Sequence, residues 1–169
     1  MPDNWINWFE ITGAAGAQLI GLLSVVVALG TRLSTSQSVE AIRAFLTPTL
    51  IYFGSVLFQA MVMLTALPFA WPKGLILALA GLAGLAYDID AIRLKRRLGF
   101  SDIKPLDWIP YGVLPMLANA SLIAGGVGLT FKQAFAPFAI AGATALLLNT
   151  GIYCAWDLTL WVIKDRGKA

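Results

Sequence analysis

A long and almost uncharged stretch over residues 133–162 restricts the folds open to this chain, because its only charged side chain is Asp157. A helix needs about 20 predominantly apolar residues to cross the hydrocarbon core of a bilayer, and this stretch is longer than that. Further apolar runs occupy residues 11–30, 47–67, 73–92 and 111–130. The sequence therefore predicts an all-α integral membrane protein, a bundle of five transmembrane helices.

Composition supports a membrane protein built as one transmembrane domain over residues 1–169. Hydrophobic residues make up 59% of the chain and charged residues 12%, whereas about 25% of the residues of a soluble domain are charged. The apolar runs do not alternate with period two, which the strands of a membrane β-barrel would require. Residues 1–10 contain no Lys or Arg and so do not resemble a secretory signal; we expect them to stay in the mature protein.

Basic residues are divided unequally between the two sides of a five-span topology. Of the 12 Lys and Arg residues, only Lys73 and Lys132 fall on one side, which leaves ten for the other. Because basic residues are retained on the cytoplasmic side, we expect the N-terminus outside and the C-terminus in the cytoplasm. The predicted location is the plasma membrane, as a multipass protein of a bacterial inner membrane, with anionic lipid headgroups against the basic side.

A stripe of small and polar residues follows one face of the last span at intervals of four residues. A carboxylate or amide on this face would have no water to bond if it faced lipid. We therefore expect the stripe to face other helices or a wet cavity, whereas Leu147 is expected to face lipid. The stripe consists of Ala141, Ala145, Asn149, Tyr153 and Asp157.

Three further amides lie inside apolar spans, namely Gln18, Gln59 and Asn119. Amides at membrane depth are typical of interhelical hydrogen bonds, and less often of ligand contacts. Together with Asn149 and Asp157 they are candidates for pore lining or for polar packing, and both interpretations stay open. In the first span, Gly13, Ala17 and Gly21 recur every four residues, which predicts a ridge that another helix can approach closely.

Prolines and glycines predict a discontinuity in the fourth span. Pro115 lies inside the predicted span, where proline frees a backbone carbonyl and kinks a helix. Gly125 and Gly126 loosen or closely pack its far end. A second proline, Pro48, is predicted to mark the junction between the second span and a short helix over residues 37–46, which either lies at the interface or extends that span.

Two acidic residues end the third span, just before four basic groups between Arg93 and Arg97. One interpretation is local pairing, such as Asp90 with Arg93. The other is that Asp88 and Asp90 form a cytoplasmic acidic mouth that attracts cations when subunits assemble into a ring.

Few residues favour catalysis or metal binding. The chain has no histidine and one cysteine, Cys154, so a tetrahedral metal site lacks ligands, and we expect no metal and no cofactor. A basic surface able to read nucleic acid is not expected either. The remaining enzymatic interpretation is headgroup chemistry with a divalent ion held by acids near the inner interface, namely Asp88, Asp90, Asp107 and Asp157.

The polar residues inside a small membrane bundle favour transport over catalysis. Five short helices can hardly enclose a conduction path alone, so we expect a homo-oligomeric channel or transporter for an ion or small solute, and not an enzyme. The alternative is a structural or regulatory subunit that binds a larger membrane protein complex through its small and polar helix faces.

Overall fold

The fold is all-helical, as the apolar runs predict. The computed structural model describes residues 3–31, 36–97 and 112–166. These residues form α1 (Asp3–Thr31), α2 (Ser36–Leu64), α3 (Ala70–Arg97), α4 (Leu114–Thr130) and α5 (Ala136–Arg166). By length and composition, α1, α2, α3 and α5 can each cross a membrane, and α4 is a shorter apolar helix of 17 residues.

Each predicted span falls on one helix, with the second span ending three residues beyond α2. The helices α1, α2, α3 and α5 extend beyond the apolar runs. The helix α2 begins at Ser36 and continues through Pro48. Residues 37–46 are therefore the first turns of α2, as an extension of the second span would require, and Pro48 does not separate two helices. The predicted loop over residues 98–110 lies outside the described residues.

Consecutive helices run antiparallel, and α1 with α2, α3 with α4 and α4 with α5 approach closely at glycines. Between α1 and α2, a Cβ atom at Gly13 would lie 2.7 Å from Ala60 Cβ, and one at Gly16 would lie 3.2 Å from the Phe53 carbonyl oxygen. The close contacts of α1 therefore use Gly13 and Gly16. Gly21 has no atom within 4 Å of a built Cβ and Ala17 is exposed, so the predicted ridge is only partly packed.

Among the helix interfaces that contain glycines, the one between α3 and α4 is the most closely packed. A Cβ at Gly126 would lie 2.6 Å from both the Ala78 nitrogen and the Gly74 carbonyl oxygen. Further along, a Cβ at Gly81 would lie 3.0 Å from the Asn119 carbonyl oxygen. Because these neighbours are backbone atoms, the two helices pack at a distance that only glycine permits.

A π-helical turn at residues 112–113 directly precedes α4, and Pro115 lies in the first turn of α4, so the helical geometry changes next to this proline. The glycines of α4 do not interrupt the helix. Gly125 and Gly126 are buried in contacts with α5 and α3, since a Cβ at Gly125 would lie 2.7 Å from Ile140 Cγ1. The helix runs unbroken over Leu114–Thr130, so the glycines serve close packing where a discontinuity was predicted.

The helix α5 packs against α1, α2 and α4. Leu147, expected to face lipid, is only 1% exposed and contributes to an apolar cluster with Tyr52, Val56, Ala118 and Cys154. Its side chain points to the face that α2 and α4 cover. At the other end of the bundle, the rings of Trp5 and Phe138 join α1 to α5, edge to face with centroids 4.8 Å apart.

Candidate functional site

A buried carboxylate lies where α2, α3 and α4 meet. Asp88 of α3 is 3% exposed. Its Oδ2 accepts a hydrogen bond from Asn119 Nδ2 of α4 at 2.8 Å. Its Oδ1 accepts a longer one from the Tyr52 hydroxyl of α2 at 3.4 Å. We call Tyr52, Asp88 and Asn119 the carboxylate cluster.

Local sequence explains how Asn119 reaches Asp88. Gly84 precedes Asp88 by about one helical turn, and a Cβ at Gly84 would clash with the Asn119 amide. The absence of a side chain at Gly84 makes room for that amide between the helices. The same amide then points along α3 to the carboxylate.

A second buried polar pair joins α2 to α5. Gln59 and Thr144 are both 0% exposed, and the Thr144 hydroxyl lies 2.8 Å from Gln59 Oε1. The same hydroxyl lies 2.9 Å from the Ile140 carbonyl oxygen, so two acceptors share its hydrogen. Gln59 Nε2 is buried and has no hydrogen-bond partner among the described residues.

A cleft of about 270 Å³ separates α2 from α3 and α4. It is open on one side, and most of its wall is apolar. Its polar lining comes from Ser55, Gln59 and Asn119, so the cleft touches both the carboxylate cluster and the Gln59 pair. The lining residues are Ile51, Gly54, Ser55, Phe58, Gln59, Ala80, Asn119 and Leu122.

The two ends of this polar region lie at different depths. Gln59 precedes the end of the apolar segment Leu46–Leu64 by five residues, and Asp88 precedes the end of Ala70–Arg93 by five residues. At a rise of about 1.5 Å per residue, each lies about 8 Å inside its end of the segment. Because α2 and α3 are antiparallel, these two ends are on opposite sides of the bundle.

The α5 stripe does not form one buried face. Ala141 is 8% exposed, whereas Tyr153 is 41% exposed. Residues four apart in an α-helix are rotated by about 40° from one another, so the stripe winds from the interior to the surface. Asn149 is exposed, and its Nδ2 donates to the Ala145 carbonyl oxygen of its own helix at 2.9 Å. Asp157 is half-buried.

Other predicted polar residues also lie apart from the carboxylate cluster. Gln18 is exposed on α1. Asp90 has a side chain 75% exposed and pairs with Arg93 at 3.3 Å, which is the local pairing considered from the sequence. Two residues along a helix are about 200° apart, so Asp88 and Asp90 point to different surroundings. Asp107 lies outside the described residues.

Tyr52 and Thr144 were missed by the sequence argument. Both are hydroxyl residues inside long apolar runs. A Thr hydroxyl usually bonds the carbonyl oxygen one turn earlier in its own helix, as Thr144 does with Ile140. Only the packing of α2 against α3 and α5 gives them partners elsewhere. These contacts could have been predicted from the sequence only if the neighbouring helices had been known.

The oxygens of the carboxylate cluster suit a proton or a monovalent cation. A single carboxylate neutralises one positive charge, and its two oxygens accept hydrogen bonds from Asn119 Nδ2 and the Tyr52 hydroxyl. Within residues 3–31, 36–97 and 112–166, no group of three or more Asp, Glu, His or Cys side chains comes together, whereas calcium takes six to eight oxygen ligands, often from several carboxylates.

No family model matches the chain, and no curated protein or solved structure matches it. The fold itself defines the class: an all-α membrane protein whose described part has four helices that are long and apolar enough to cross the bilayer.

Proposed function

We propose that this protein is a channel or transporter for a monovalent cation, with the carboxylate cluster as the binding site inside each subunit. The observation that carries the proposal is a carboxylate 3% exposed on a membrane-type helix, bonded by side chains from two other helices. Ionisable residues at such positions are functional-site candidates by default, and ion pathways are among the sites that they mark.

Carboxylates inside membrane helices are expensive, so they are rare and are functional-site candidates by default. Asp88 is buried five residues from the end of its apolar segment, where hydrogen bonds from Asn119 and Tyr52 stabilise it.

The proposal includes five spans, with the N-terminus outside. A helix of 17 residues is about 25 Å long, which is near the lower limit for crossing a bilayer. In support, α4 lies along α3 from the contact of Gly126 with Gly74 to that of Asn119 with Gly84. A membrane that encloses α3 would enclose α4 as well, and the ten basic residues would then lie in the cytoplasm of a bacterial cell.

We also propose a homo-oligomer that assembles through the outer face of α1. Ala14, Ala17, Gln18 and Gly21 are exposed on this face, and small residues allow two helices to approach closely. The same face supports the alternative, a structural or regulatory subunit of a larger complex. The mass of the complex extracted from its native membrane in polymer discs distinguishes the two, because the alternative requires a fixed ratio with another protein.

The experiment that tests transport uses purified protein in liposomes loaded with dyes for H⁺, Na⁺ or K⁺. We expect the wild type to conduct at least one of these above empty liposomes, and Asp88→Asn to lower that flux about tenfold, the effect of losing about 1.4 kcal/mol of binding. Asp90→Asn is the matched control, since it removes an exposed carboxylate from the same helix and should leave flux near the wild-type value. Wild-type protein that conducts none of the three ions would refute the proposal.

A further inference from the structure

The polar groups around Asp88 can bond its carboxyl group both with and without a proton. In the ionised form, Oδ2 accepts from Asn119 Nδ2 at 2.8 Å and Oδ1 accepts from the Tyr52 hydroxyl at 3.4 Å. In the protonated form, the carboxyl O–H is a donor that needs an acceptor. The Tyr52 oxygen supplies one, because a tyrosine hydroxyl both donates and accepts. Tyr52 therefore pairs with Asp88 in either state.

The Asn119 amide has the same property. If the amide turns over, its oxygen takes the place of Nδ2, at the 2.8 Å that separates Nδ2 from Asp88 Oδ2. This is the usual length of an O–H···O hydrogen bond, and the amide oxygen then accepts the carboxyl proton. Gly84 gives the amide room, since a Cβ there would clash with its oxygen, carbon and nitrogen alike. The pair is bonded whichever end of the amide faces the carboxyl group, with the shared hydrogen on Nδ2 in one case and on Oδ2 in the other.

A metal cation makes demands that a proton does not. Asp88 is 3% exposed, so a cation bound there would have to replace its hydration water with oxygen atoms of the protein. The 2.8 Å between Asn119 and the carboxylate accommodates a hydrogen atom, whereas even the small Mg²⁺ ion lies about 2.0–2.1 Å from each of its ligands. A proton on a carboxyl oxygen needs no such shell of ligands.

Other titratable groups near the carboxyl group come from three helices. They include the Tyr52 hydroxyl of α2 and Tyr87 of α3, and Cys154 of α5, which belongs to the same apolar cluster as Tyr52. From α4 the neighbour is Asn119, which does not titrate. Phenols and thiols ordinarily titrate at about pH 10 and about pH 8.5, and a carboxyl group of aspartate at about pH 3.9. Asp88 is therefore the acid among these groups.

We propose that the transported ion is a proton, carried by the carboxyl group of Asp88. This inference rests on the proposed transport function and names its substrate. The carboxylate takes a proton from water on one side of the membrane, becomes a neutral carboxyl group, and releases the same proton to water on the other side. Asn119 and Tyr52 hold the group in both forms, and neither of them changes its charge.

The first experiment measures the selectivity of the wild-type protein in liposomes, and so needs no variant to fold. A pH gradient is followed with an internal pH dye, with equal Na⁺ and K⁺ on both sides and valinomycin to hold the voltage. Na⁺ and K⁺ gradients are followed separately with ion-sensitive dyes, at equal pH and with a protonophore. We expect H⁺ flux well above that of empty liposomes, and Na⁺ and K⁺ flux no higher than in empty liposomes.

Infrared spectroscopy of the purified full chain in detergent tests proton binding apart from transport. A protonated carboxylic acid has a carbonyl stretching band that a carboxylate lacks, so spectra between about pH 4 and about pH 10 record acids that titrate in this range. We expect one such band to be lost in Asp88→Asn and kept in Asp90→Asn, the matched change at an exposed carboxylate. Replacing choline chloride with NaCl or KCl at fixed pH should leave the Asp88 band unchanged.

Other outcomes separate this inference from the transport function. Na⁺ or K⁺ flux above that of empty liposomes, or loss of the Asp88 band when either salt is added, would overturn the proton and leave cation transport standing. A wild-type protein that conducts none of the three ions would overturn both. H⁺ flux without a band that depends on Asp88 would place the proton at another group and overturn the role of this carboxyl group.

Discussion

The two sides of α3 differ in how closely they are packed. Towards α4, contacts run from Gly74 to Gly84, and backbone meets backbone. Towards α2, the Tyr52 hydroxyl reaches Asp88. Nearer the start of α3, at the level of Ala80, the two helices separate around the cleft. Small residues therefore determine where this bundle is closed, and the buried polar side chains lie at the edge of the closed region. The difference leaves an open cleft on the α2 side of α3.

The largest effect is expected from Gly126→Leu, which would force open the closed side. A Cβ at this position would lie 2.6 Å from backbone atoms of Ala78 and Gly74, which cannot rotate away. We expect a loss of about 3 kcal/mol of stability, the upper end of typical overpacking effects, measured by thermal unfolding in detergent. Gly54→Leu on the open side is the control and should unfold near the wild-type temperature. Equal tolerance of both changes would mean that α3 and α4 do not pack as described.

A smaller effect is expected from Asp88→Leu, at the boundary between the two sides. The change leaves the Asn119 amide and the Tyr52 hydroxyl without their acceptor, which costs about 1–3 kcal/mol for buried donors. The double variant Asp88→Leu with Asn119→Leu should recover part of that loss, because residues in one hydrogen-bond network couple by about 0.5–3 kcal/mol. Strictly additive losses in denaturation measurements would show that the two side chains do not interact.

The smallest effect is expected from Gln59→Leu on the open side. The change removes the contact of the Gln59 amide with the Thr144 hydroxyl, which retains the Ile140 carbonyl oxygen. We expect the unfolding free energy to change by less than about 1 kcal/mol, close to the result for Gln18→Leu. A loss as large as that of Asp88→Leu would mean that both polar atoms of the Gln59 amide are hydrogen-bonded in the folded protein, and that Gln59 stabilises the bundle as the carboxylate cluster does.

The helical fold was predictable because the length of an apolar run is a local property. Residues 133–162 are too long and too apolar for a soluble helix, and α5 covers most of them. The ends of the helices were less predictable. Pro48 and Pro115 each signal a break when considered alone, but Pro48 lies within a continuous α2 and Pro115 lies in the first turn of α4.

The site was predictable only in its parts. Gln59, Asn119 and Asp88 stand out in the sequence because polar residues are rare in apolar runs. Which of them share a site depends on how each helix is rotated about its axis relative to the neighbouring helices. Asp88 and Asp90 differ by two positions, yet one is buried and the other exposed. The α5 stripe failed as a single face because a spacing of four drifts around a helix of 3.6 residues per turn.

The most direct test of the central claim compares cation flux in liposomes for Asp88→Asn and Asn149→Leu. The claim is that the polar route lies inside one bundle, at the carboxylate cluster, and not along the stripe of α5. It predicts that Asp88→Asn loses most of the flux while Asn149→Leu keeps it, because the Asn149 amide is exposed and bonded to its own helix. Flux that survives Asp88→Asn and is lost in Asn149→Leu would contradict the claim and place the route between subunits.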